Sequence, residues 1–193
     1  MSNWQKKIVG LGAAFLLAAC AGTSPTPRFY TLNAAVPAGE RGEANYTVAV
    51  GAVTVPALVD RPQMVLRVSE TRVEISQFQR WAEPLRDELG RVVAENLSRE
   101  LGRARVTAYP AAPDRPDFRV QIDVLVFDSR PGEAAILEAV WSVRGRRDGD
   151  VRSGRTAARE AVGEGFDALV AAHSQAVARL SADIGGAIRG LQG

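Results

Sequence analysis

Cys20 and His173 are the only cysteine and the only histidine in the 193 residues. They bound the nucleophilic and acid–base chemistry the chain can perform. His173 falls in step with Phe166, Leu169, Val170, Val177, Leu180, Ile184, Ile188 and Leu191, at spacings of three and four. A histidine on such a stripe is expected in the core or at its boundary rather than presented to a substrate. Its neighbour Ser174 projects from a different helix face, so the two are not a ready nucleophile and base. There is no Gly-x-Ser-x-Gly elbow, no phosphate-binding glycine loop and no His/Cys/carboxylate cluster with ligand spacing. No catalytic set, cofactor or metal is implied. Glu83, Asp87 and Glu88 gather where a helix begins, and carboxylates there complement the helix dipole. Arg144, Arg146, Arg147, Arg152 and Arg155 crowd one hairpin, which reads as a solvated turn or as a contact for acidic lipid or a partner.

Cys20 has a telling context. Lys6 and Lys7 precede an apolar run, residues 8–19, broken only by Gly10 and Gly12, and the small residues Ala18 and Ala19 end directly on the cysteine. Charged segment, short apolar segment and small residues at a cut describe a secretory signal. The run falls short of the roughly 20 apolar residues a membrane span needs. Leu17-Ala18-Ala19-Cys20 resembles the bacterial lipobox, in which the cysteine is lipidated and becomes the mature N-terminus. An unpaired cysteine in an exported protein needs such an explanation. Stable anchoring takes about two acyl chains, and a triacylated cysteine exceeds that. Ala21 and Gly22 follow, without the aspartate that tends to hold enterobacterial lipoproteins in the inner membrane. The resemblance therefore points to the outer membrane, with the protein on the periplasmic face.

Both lysines lie in the leader. Without them the 24 basic residues become 22 arginines, against 22 acidic residues, so the mature chain is close to neutral. A nucleic-acid binder would carry a basic surplus. The organisation expected is a signal over 1–19, a tether over 20–27 and one domain over 28–193. The tether is small and polar, extended by Pro25 and Pro27.

Strands are expected over 28–32, 46–55 (bulged near Gly51), 63–69 and 72–76, the last two forming a hairpin through Glu70 and Thr71. Residues 77–82 read as a connection. Pro84 opens a helix whose stripe is Leu85, Leu89, Val92, Val93, Leu97 and Leu101, with Gly102 closing it. A short strand over 105–109 and a proline-rich turn follow. Three strands over 117–128, 134–146 and 151–160 form an antiparallel meander. The last helix carries the His173 stripe, with Arg179 and Asp183 off it. The fold class is α+β: a single mixed, largely antiparallel sheet of roughly seven strands with two amphipathic helices packed on one face.

An ordered set of short segments resembles the ABC-type transport auxiliary lipoprotein family, of the paraquat-inducible protein C type. They are Tyr30-Thr31-Leu32, Val55-Pro56, Asp60-Arg61-Pro62-Gln63, Trp81-Ala82-Glu83-Pro84-Leu85, Ala94-Glu95-Asn96-Leu97, Phe127-Asp128, Ala139-Val140-Trp141 and Phe166-Asp167-Ala168-Leu169-Val170. The resemblance spans nearly the whole mature chain. It implies a non-enzymatic adaptor that holds or caps the outer-membrane end of a lipid-transport assembly. The partners would be a mammalian-cell-entry (MCE) domain protein and its permease, and a homo-oligomer is compatible with the sequence. A periplasmic hydrolase and a structural lipoprotein of outer-membrane assembly are the alternatives. For the partner surface two readings stand for the 56–62 loop and its neighbour: Leu58 and Val59 between prolines, with Asp60, Arg61 and Trp81, form a contact surface, or Leu58 folds back into the core, Trp81 covers the first helix, and Asp60 and Arg61 pair within the turn. Exposed apolar tips, aromatics and arginines carry much of the energy at interfaces.

Overall fold

The computed structural model describes residues 25–37, 45–102, 104–111, 113–146 and 149–192. Cys20 and the leader lie outside the described residues. Eight strands and two helices follow one another as β1 (Arg28–Tyr30), β2 (Tyr46–Thr54), β3 (Gln63–Arg67), β4 (Val73–Trp81), α1 (Leu85–Leu101), β5 (Ala104–Ala108), β6 (Phe118–Arg130), β7 (Ala134–Gly145), β8 (Val151–Ala161) and α2 (Gly165–Gln192). The strands make one mixed sheet, the α+β class expected.

The sheet is organised by β6. One edge of β6 pairs along its full length with β7, and β7 with β8, giving the antiparallel meander. The other edge is shared. Its first half pairs with β2, which also holds β5. Its far end meets β3 at Leu66 and Ser129, and β3 leads through β4 to β1. Both β2 and β3 run parallel to β6, so they lie end to end along it, and residues 55–62 are an excursion between them. Three strand pairings are antiparallel and four parallel, the antiparallel ladders beside β7 being the long ones.

Strand chemistry accounts for which face is buried. In β6, Phe118, Val120, Ile122 and Val124 are buried while Arg119, Gln121, Asp123 and Leu125 are exposed, the period-two pattern of a strand with one wet face. The register shifts between Val124 and Val126, and the phase changes so that Phe127 and Ser129 turn inward. A similar shift between Val50 and Val53 brings Val53 into the core, at the bulge expected near Gly51.

The helices pack side by side on the inner face, α1 over β2 and β5, α2 over β6, β7 and β8. Their stripes are buried as their spacing requires: Leu85, Leu89, Val92, Val93 and Leu97 on α1, and Leu169, Val170, His173, Val177, Leu180, Ile184 and Ile188 on α2. Pro84 stands at the α1 N-cap and Gly102 closes the helix at φ 61°, where a side chain would be strained. Between residues 31 and 37 the chain has no regular structure. It is strapped across the helices by side chains instead. The amides of Leu32, Asn33 and Val36 donate to Glu88 Oε1 (2.7 Å), Ser174 Oγ (3.2 Å) and Asn96 Oδ1 (3.1 Å), and Arg99 donates to the Ala34 and Val36 carbonyls.

Candidate functional site

The 55–62 excursion is a compact turn. The Val59 and Asp60 amides donate to the Pro56 carbonyl (3.0 and 3.2 Å), and the Trp81 amide donates to the Pro62 carbonyl (2.7 Å), tying the loop to the end of β4. Leu58 is 41% exposed at the tip. Asp60 faces outward and accepts from Arg86 Nη1 of α1 at 3.0 Å. Arg61 is half-buried, and its Nε is enclosed without a hydrogen-bond acceptor. Arg80 of β4, paired with Gln63, likewise has an enclosed Nε without an acceptor.

Two of the five residues expected at the contact surface are not on it. Val59 turns into the core, and Trp81 is only 5% exposed. Trp81 packs edge-on against Phe127 at a centroid distance of 5.9 Å. The physical reason is that β4 runs on through the stretch expected to be a connection. Its last residues, Gln79 to Trp81, pair with β1, a partner about fifty positions earlier that supplies the missing ladder. The end of β4, held between β1 and the Pro62 carbonyl, places the indole in the core against Phe127 and His173. Leu58 and Asp60 are exposed, and Arg61 is half-buried.

A serine and the histidine do meet, though not the pair adjacent in sequence. Ser129 Oγ and His173 Nε2 lie 2.8 Å apart, and the imidazole stacks on Phe127 at 4.1 Å. Both residues are buried, and His173 Nδ1 has no partner to orient the ring. Burial pushes the imidazole down to about 3, with the Asp128 charge acting weakly the other way. Such an imidazole is a poor base for a hydroxyl proton. The pair fastens α2 to β6. Ser174, on the next face, back-bonds to the Val170 carbonyl at 2.9 Å and accepts the Asn33 amide.

Glu88 is more than a dipole partner. It is fully buried, and burial pushes its carboxyl up, against the nearby Thr31 hydroxyl, the Leu32 amide that it accepts and the charge of Arg91. Among the described residues no group of three or more His, Cys, Asp or Glu could hold a metal, and no helix is long and apolar enough to cross a membrane.

A sequence model of the ABC-type transport auxiliary lipoprotein component family matches residues 30–185. The chain belongs to this family. The match starts within β1 and runs to the last turns of α2, so it takes in the strap, the excursion loop and both helices of the auxiliary lipoprotein. Among curated proteins none matches the chain. Two crystal structures share its fold at 22% identity. One, of an uncharacterized protein, has a TM-score of 0.71 and covers 85% of this chain and 99% of its own. The other, of a Xanthomonas campestris protein, has a TM-score of 0.65 and covers 86% and 98%.

Proposed function

We propose that this auxiliary lipoprotein is a non-enzymatic adaptor of an MCE-type lipid-transport system. In this reading residues 1–19 are removed, Cys20 carries the lipid in the outer membrane, and the domain faces the periplasm. The loop tip formed by Leu58, Asp60 and Arg61 contacts the MCE-domain protein. The observation that carries the contact surface is Leu58, a large apolar side chain 41% exposed at the tip of a compact turn, followed by the exposed Asp60 and the half-buried Arg61. The family supplies the transport context, and the enclosed, unoriented Ser129–His173 pair supports a role other than hydrolysis.

Co-purification with the cognate MCE protein tests the reading. Leu58→Ser and Arg61→Ala should weaken capture at nearly unchanged thermal stability. Early unfolding of both variants, or capture equal to the parent, would place the interface elsewhere. In the same preparations, mass spectrometry of the N-terminal peptide should find an acylated Cys20, and Cys20→Ser should move the protein out of the membrane fraction.

A further inference from the structure

At the N-terminal end of β6, on the sheet face away from the helices, arginines converge on a cleft of about 570 Å³. It is lined by Asp114, Arg115, Pro116, Arg119, Arg144, Gly145 and Arg146. Arg119 and Arg144 are directly opposite one another across the β6–β7 ladder, and both are exposed. Like charges directly opposite on an antiparallel pair work against the sheet. Nothing in the fold requires the pair there, since residues on this wet face are free to be neutral. Arg146 is engaged by Asp117, whose carboxyl is itself fixed by the Thr47 hydroxyl and amide. Arg119 Nη2 is steadied by the Asp114 carbonyl at 3.2 Å. Arg115, Arg119 and Arg144 form no ion pair with a carboxylate of any described residue.

We propose that this cleft binds a phosphate group, held by Arg115, Arg119 and Arg144, with Arg146 held at its rim by Asp117. Guanidinium forks match carboxylate and phosphate oxygens alike. Three converging forks offer more donors than the two oxygens of one carboxylate can accept, whereas a phosphate presents three or four oxygens and up to two charges. The cleft is concave and larger than the bare ion, so it has room for a small organic substituent: it fits a phosphomonoester or a headgroup phosphate. The site is separate from the excursion loop. Thr54, where that loop begins, pairs with Asp123, four residues along β6 from Arg119 and about 13 Å away at the rise of a strand. This inference therefore stands independently of the adaptor reading.

The test uses the full-chain protein in non-ionic detergent micelles at constant ionic strength. Three probes are titrated calorimetrically: sodium phosphate, glycerol 3-phosphate and phosphatidylglycerol doped into the micelles, each against chloride. The variant Arg119→Gln/Arg144→Gln removes the opposed pair, and Arg155→Gln/Arg159→Gln on β8 is the charge-matched control. Saturable binding of at least one probe is expected, weakened tenfold or more in the first variant and less than threefold in the control. Binding of the soluble probes assigns the site to free phosphates or phosphomonoesters, and binding of the doped lipid alone assigns it to headgroups. The first variant should be at least as thermally stable as the parent without phosphate, because like-charge opposition is gone, and should lose the parent's rise in melting temperature with the bound probe. No saturable binding by any probe, binding weakened less than tenfold in the first variant, or equal weakening in the control overturns the proposal.

Discussion

Glu88 offers a sharp test of how the N-terminal strap is held. Its carboxylate lies in the core and accepts the Leu32 amide at 2.7 Å, while Arg91 Nη2 approaches to 3.5 Å and Oε2 has no partner. Glu88→Ala removes a hydrogen bond to a charged group, worth about 1.5–3 kcal/mol. It also leaves the Leu32 amide enclosed without an acceptor and opens space beside Leu32, so a loss of about 2–4 kcal/mol is expected. Glu88→Gln keeps an oxygen for the amide and removes a buried charge, so at neutral pH it should stay within about 1 kcal/mol of the parent. The pH dependence carries a definite sign. Because the carboxyl is pushed up in the fold, the native state holds its proton when the unfolded chain has lost it. Stability from this group is therefore full below the unfolded value, about 4.3, and falls as pH rises through the raised folded value. The parent should lose stability over that window relative to Glu88→Gln. Urea denaturation from pH 4 to pH 7 measures this, and hydrogen exchange at the Leu32 amide locates it. A glutamine variant as unstable as the alanine one at neutral pH would refute the reasoning, because the ion pair with Arg91 and not the hydrogen bond would then be holding the strap.

Three other perturbations probe the inner face. His173 is pushed down to about 3 in the fold, so the unfolded chain takes up a proton first on acidification. Its contribution is complete above about 6.5 and is lost as pH falls toward the folded value; His173→Gln should flatten the acid loss of stability by more than about 1 kcal/mol between pH 6.5 and 4.5 in urea titrations. The Trp141 ring lies over Gly154, where an added Cβ would sit 2.3 Å from it, and Gly154→Ala should cost about 1–3 kcal/mol and alter tryptophan fluorescence as the indole leaves Thr156. On α2, Leu180→Ala or Ile184→Ala should cost about 2–5 kcal/mol, whereas Arg179→Gln, which loses only an exposed pair with Glu160, should cost under about 0.5 kcal/mol by calorimetry.

The helices were legible because a burial period of three to four is local. Every stripe residue of α2 can be read from its neighbours, and Pro84 and Gly102 mark the ends of α1 by their own backbone chemistry. What was not legible depends on partners distant in sequence. Residues 77–81 look like a connection until β1 pairs with the last three of them. The apolar outer face at the end of β6 looks odd until the register shift after Val124 turns Phe127 inward. Glu88 and Leu32 meet across 56 positions, and Ser129 and His173 across 44. Asp183 sits beside the α2 stripe, yet it accepts the Thr156 hydroxyl, which in turn accepts Trp141 Nε1 at 3.1 Å, so it ties helix to sheet. In the loop, Leu58 and Asp60 are exposed, Arg61 is half-buried, and Val59 and Trp81 lie in the core, because the pairing of β1 with the end of β4 places the indole there.

The strap has a mechanical meaning if Cys20 is the anchor. Chain termini fray unless they are tied down, and a domain hung by its N-terminus is loaded where most domains are weakest. Here the first strand among the described residues, β1, has only three residues, too short a ladder to resist alone. The following segment enters the core at Leu32 and takes hydrogen bonds from both helices, through Glu88, Asn96 and Arg99 on α1 and Ser174 on α2. Load on the tether would thus pass from β1 into the two elements with the largest buried stripes rather than into a sheet edge. Glu88, Asn96 and Ser174 are each buried, positions where polar groups are costly unless paired, and each supplies an acceptor to a strap amide. Their burial follows from the task of holding an irregular segment whose own backbone has no ladder to join.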